Sequence, residues 1–452
     1  MTKSEFKKAM MRGLGRCVIE LDENDNIEQY RDIVLWGCLH NLSYDTQSEG
    51  TRSEYMYSLQ NKFNDDYFEF KIIGMFMKEK MDSWLFDHFA NLLYLFAKDG
   101  SEKSYQSLYN KYGDMLNSLT VNKRYLKSSE LKEQFEWLCI WIVTLDGISA
   151  FIKIVSDIGG AYNKNSNLME ACTFEWFYEA SKNNCGGKRI TKYMEKSISK
   201  SEDVRLFYKP IKDLNEKIFD RIPEIISVKE VVKACKEEWF KCRGMVVRFS
   251  RNASDEELLE LARIAFNEPQ EEIKANMIWA FRKRRFPLQI EIIIGYTKSD
   301  NEKLVQNAFE ILTRTKDKIV REFAMELIKE KKHIEDALSI LFKNYKKEDT
   351  DLIFSMLKRI KVNYSEGIWH GVYSDAISWM EHDRKVPEKI ILFLYENILC
   401  SYCREHIVRV MSNRGILKDT LLKECLYDSN SNIRKFAERK YKRIIRTMSF
   451  PI

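Results

Sequence analysis

The 452 residues are 44% hydrophobic and 31% charged. That is too much apolar material for a disordered chain and enough for two or three domains or one extended repeat array. Six prolines and 17 glycines are too few to punctuate an all-β protein, and no apolar run of about 18 residues offers a membrane span. Lys+Arg exceed Asp+Glu by 74 to 68, but the excess is local: Ser401 to the C-terminus holds 12 basic and 5 acidic residues, leaving 62 and 63 elsewhere.

Met1 to Glu20 lacks the apolar core of a signal peptide. The ten cysteines are scattered through apolar patterns, so they are read as small core residues of a reduced, cytoplasmic protein. The first two hundred residues are rich in aromatics. Leu85, Phe89, Leu92, Leu93 and Phe96 recur with the period of one helix face. Trp137 to Val143 is apolar on every side and reads as a buried helix or, less readily, a buried strand. Gly159-Gly160 to Asn167 and Asn183 to Gly187 are the expected loops. Lys209-Pro210 and Ile222-Pro223 mark a domain boundary, giving an aromatic-rich helical domain over 1–210 and a second domain over 211–452.

In the second domain short helical segments alternate with brief polar turns. Pro269, Pro287 and Pro387 stand where helices should begin, because a first-turn residue has no use for its N–H. Ser254 and Glu257 have the spacing of a capping box. One pattern recurs: a β-branched residue, a polar or basic one, two others, then a small or apolar one. It appears at Ile273-Lys274-x-x-Met277, Val305-Gln306-x-x-Phe309, Val320-Arg321-x-x-Ala324, Val408-Arg409-x-x-Ser412 and Ile433-Arg434-x-x-Ala437.

The copies at 320–324 and 433–437 each follow an acidic turn, Asp317 and Asp428-Ser-Asn-Ser-Asn. In this they resemble the HEAT-repeat family, in which an Asp/Asn turn leads into a helix opening with Val-Arg-x-x-Ala. The resemblance covers roughly residues 250–450. It implies an all-α chain whose C-terminal half is an α-solenoid of stacked helix pairs. The N-terminal half either continues the array in degenerate form or is a separate helical cap.

Chemical motifs are sparse. Cys400-Ser-Tyr-Cys403 with His406 has half of a zinc pattern, with no second ligand pair at matching spacing; the cysteines read as core or helix-start residues. His40, His88, His333, His370, His382 and His406 form no His-Glu-x-x-His. His382 sits beside Glu381 and Asp383 in what reads as a polar turn. Gly186-Gly187-Lys188 lacks the rest of a phosphate loop. No cofactor or metal is expected, and nothing demands an active site.

Basic clusters are the most informative polar feature. Arg282, Lys283, Arg284 and Arg285 lie between Phe281 and Phe286 at the end of a helix. In the last helix Lys435, Arg439, Lys442 and Arg446 fall on one stripe. By the HEAT resemblance both would lie along a concave surface or its rim; the alternatives are helix-end cations that satisfy the dipole for the first cluster and a solvated terminal cap for the stripe. Trp279, Trp369 and Trp379 are read as core residues or further anchors. The expectation is a non-catalytic scaffold holding a protein or acidic peptide. The alternative is nucleic-acid binding through backbone phosphates. A third reading, base excision from alkylated DNA as in one group of HEAT-like proteins, has no residue spacing here that maps onto it.

Overall fold

The computed structural model describes residues 1–448 apart from 79, 122–127, 166–167, 169–173, 217–224, 238 and 360–367. Among the described residues every regular element is a helix and there is no strand. The expected all-α class is what the chain adopts. No described helix is long and apolar enough to cross a membrane.

Local chemistry sets the helix ends. Asp82 opens the Ser83–Lys98 helix by accepting from Leu85 N at 2.9 Å, filling one of the free N–H groups of the first turn. Its inner face is Phe86, Phe89, Ala90, Leu92 and Leu93; Leu85 and Phe96 of the expected stripe are only half-buried. The apolar run 137–143 lies inside the Ser129–Asp146 helix. Ser254 and Glu257 form the expected capping box, and Ser227 with Glu230 forms another.

Two expected breaks are not breaks. Gly159 and Gly160 lie inside the Ile148–Lys164 helix. A Cβ on Gly159 would stand 1.9 Å from Asp203 O, so this glycine serves close approach to the Glu202–Glu216 helix and not a turn. Pro210 lies within that second helix. At 183–187 only Gly186, at φ +89°, interrupts helix. Ile222-Pro223 lies outside the described residues.

The chain divides into two compact units, Met1–Ile218 with Asn397–Ile452, and Phe219–Glu396. This departs from the expected 1–210 and 211–452 by placing Asn397–Ile452 in the first unit. The reason is polar. Arg52, 3% exposed, donates to Met11 O, to Leu399 O and to Glu49 at 2.7, 2.6 and 2.8 Å. Ser429 N donates to Gly13 O at 2.8 Å, and Arg16 pairs with Glu424 at 2.9 Å. Leu399 and Glu424 lie 347 and 408 residues along the chain from Arg52 and Arg16, pairings no local pattern contains.

In the first unit, the helices Arg31–Cys38, Ser53–Gln60, Ser83–Lys98, Ser129–Asp146 and Glu175–Cys185 pack each on the next. In the second, Val228–Cys235 packs on Glu271–Ile278, which packs on Glu302–Leu312. Buried asparagines stitch this second series. Asn276 Nδ2 donates to Cys235 O at 2.9 Å, Asn307 Nδ2 to Ala275 O at 2.8 Å, and Asn344 Nδ2 to Thr315 O at 2.9 Å. The first two acceptors lie in the last turn of the preceding helix of the series, where carbonyls have acceptor capacity to spare.

Candidate ligand groove

The second unit carries a concave site of about 770 Å³. Three stretches build it: the Thr297–Arg314 segment with its Glu302–Leu312 helix, the start of the Ile334–Lys343 helix, and the Ile368–His382 helix. Asn301 caps the first by accepting from Leu304 N at 2.9 Å. The second opens after a tight turn in which Lys331 and His333 both take positive φ, 58° and 44°. That left-handed turn brings the His333 ring to 4.6 Å from Phe309 and its Nδ1 to 3.5 Å from Asp336.

The walls are anionic. Asp300, Glu302, Glu310, Glu335, Asp336 and Asp375 line the groove, against Arg314 and His333. Burial pushes the Asp336 carboxyl up to about 6; His333 opposes this, and Glu335 and Asp375 add to it. Burial also raises Asp375, against the hydrogen bond from Ser339 and the charge of Arg314. Carboxyls held this way are short of positive charge, and a cation entering the groove would relieve them. Among the described residues no three groove side chains bring ligand atoms together as a metal ion requires.

The expected site residues lie elsewhere. Arg282 stacks its guanidinium 3.6 Å over the nearly buried Trp279. Arg284 donates to Ser250 O and Ala253 O at 3.0 and 3.2 Å, closing the end of the Trp239–Asn252 helix. Lys283 and Arg285 are exposed. On the final helix Lys435, Arg439 and Lys442 are exposed, while the side chain of Arg446 lies outside the described residues. The arginines of the recurring pattern are structural ties: Arg321 pairs with Asp349 at 2.6 Å, and Arg434 donates to Asp428 O and Ser429 O at 2.8 and 2.9 Å. Trp379 packs on Phe342 and Tyr345 at 5.1 and 4.8 Å, as a core residue; the Trp369 side chain lies outside the described residues.

Cys400 and Cys403 are buried, and Cys400 Sγ accepts from Cys403 N at the start of the Ser401–Asn413 helix, at 3.5 Å. The hydrogen bond with Cys400 and burial hold the Cys403 thiol far above its ordinary range, the opposite of a reactive cysteine. His382 binds Ser378 O through Nδ1 at 2.7 Å, within its own helix.

Sequence reading missed the groove because its carboxylates come from three separate stretches, none of which forms a motif. The one local sign was Glu335-Asp336, two adjacent acids directly after His333-Ile334.

No family model matches this chain, and no curated protein does. A solved structure, an engineered protein from the Northeast Structural Genomics Consortium, aligns over 98% of this chain and 99% of its own at 12% identity. Its TM-score is 0.18, which carries no argument about fold or function.

Proposed function

We propose that this chain is a non-catalytic binding scaffold, and that the groove between Thr297 and Asp375 holds a lysine- or arginine-rich segment of a partner protein. The observation that carries this is the set of six carboxylates around one cavity, with Asp336 and Asp375 both raised by burial and Asp375 adding repulsion on Asp336. A cationic peptide would satisfy them, and phosphates would be repelled. HEAT-like stacking of helix pairs belongs to the same proposal. It is supported by the asparagine ties at 276, 307 and 344 and by the order in which the helices pack.

The sign of this partner is opposite to that of the acidic peptide expected at the basic clusters, which lie outside the groove. An acidic partner remains the proposal for the exposed cations Lys435, Arg439 and Lys442 alone. Fluorescence anisotropy with a labelled basic peptide and a charge-reversed control tests the groove. Binding of the basic peptide only is expected, and equal binding of both would overturn the reading.

A further inference from the structure

A second face, in the first unit, presents a different chemistry. The helices Ser83–Lys98, Ser129–Asp146 and Glu175–Cys185 pack side by side and set their tryptophans against one another. Trp84 and Trp137 lie 6.0 Å apart, Trp137 and Trp176 4.1 Å apart edge to face, and Tyr94 and Trp141 5.2 Å apart. The spacing makes this possible: Trp137 and Trp141 share a helix side at i,i+4, and Trp84 and Asp87 do so at i,i+3. Trp176 is 42% exposed, and Trp84, Trp137, Trp141 and Tyr94 are half-buried. Indoles open to water in such a group need a reason beyond packing.

Carboxylates lie among the rings. Asp87, 2% exposed, accepts from Trp141 Nε1 at 2.7 Å. Glu136 accepts from Phe177 N at 3.2 Å. Burial raises both carboxyls; Glu133 repels each, and Glu175 adds to the repulsion on Glu136. The Trp137 Nε1–H is itself buried and has no acceptor among the described residues.

Ring faces beside crowded carboxylates together describe one ligand class: a planar cation. We propose that this face binds an arginine side chain of a protein partner. Its guanidinium stacks on the indoles and pairs with Glu133 and Glu136. Arginine fits better than lysine because its flat fork can both stack and bridge two carboxylates. The chain already makes one such stack, Arg282 on Trp279.

The test is saturation-transfer NMR on the full chain with N-acetyl-arginine methylamide, beside its lysine and citrulline counterparts. Arginine is expected to bind, citrulline not, and lysine more weakly. Trp176→Ala and Glu136→Gln should each weaken arginine binding about five-fold or more, with circular dichroism confirming the fold; Trp176 is exposed enough that at least this variant should fold. Asp336→Asn with Asp375→Asn removes the groove's share of the signal, so every comparison is made in that double-variant background, where arginine binding should persist; this separates the site from the one proposed above. Equal response to citrulline or lysine, unchanged binding by the folded variants, or loss of signal in the groove variant would overturn the assignment.

Discussion

Arg404 and Asp428 form an ion pair from which water is excluded: both side chains are 0% exposed, and they meet through Nε–Oδ2 and Nη2–Oδ1 contacts of 2.8 and 2.9 Å. Arg404 Nη2 also reaches Gly13 O at 3.3 Å. Two charges this deep are tolerable only because each has several partners. The pair fixes the turn before the last helix and ties it to the first turn of the chain.

Removing one partner strands the other. Arg404→Ala should lower the stability of the first unit by about 3–5 kcal/mol, because Asp428 would remain buried without its counter-charge. Urea unfolding followed by circular dichroism measures this. A loss below about 1 kcal/mol would mean that the pair behaves like a surface one.

Glycines separate by what surrounds them. Gly159→Ala should cost about 1–3 kcal/mol, since the new methyl meets Asp203 O at 1.9 Å. Gly113, inside the Glu102–Val121 helix, has nothing within 4 Å of its would-be Cβ. Gly113→Ala should stabilise by about 0.5–1 kcal/mol. Thermal melts of the two variants should therefore move in opposite directions.

Much of this was legible and some of it was not. Helix class and the cap at Ser254 follow from local period and turn chemistry, and the structure has them; the apolar run at 137–143 is helix, with Trp137 and Trp141 only half-buried. Gly159 and Pro210 misled for one reason: a glycine can serve a close helix contact as readily as a turn, and helix packing can outweigh the intrinsic cost of a proline. The arginines at 321 and 434 were visible as a recurring pattern, yet their partners, Asp349 and the carbonyls of 428 and 429, emerge only from folding. Asp300, Glu310, Asp336 and Asp375 looked like ordinary surface charges, because only the stacking of three distant stretches makes them one wall.

The pH dependence of stability carries a sign. His88 is fully buried between Ser53 Oγ and Cys38 O, each at 3.0 Å, and burial pushes its pKa down to about 4 from an ordinary 6.5. Its folded value is depressed, so its share of stability is present above about pH 6.5 and is lost as pH falls toward 4. Asp87 acts the other way. Burial raises it from 3.8 to about 7, so its share is full below pH 3.8 and is lost as pH rises through 7. Asp87→Asn should remove a slope of up to about 1.4 kcal/mol per pH unit between these values. Denaturation midpoints across pH 4–8 would show this as a relative gain at the alkaline end; parallel curves for variant and wild type would contradict it.

Reversing Lys435, Arg439 and Lys442 to Glu should change stability by no more than about 0.5 kcal/mol, as these side chains are exposed. The same triple variant should bind a basic peptide at the groove with unchanged affinity. A large stability loss would place these lysines and arginine in contacts that their exposure denies.

The groove itself is tested most directly by anisotropy titration of a labelled arginine- and lysine-rich peptide against wild type and the Asp336→Asn, Asp375→Asn double variant, across salt concentration and pH. The expected result is binding that weakens with salt, weakens as acidification protonates Asp336 near pH 6, and drops about ten-fold or more in the double variant. Binding of equal strength in wild type and a folded double variant at low salt would contradict the account.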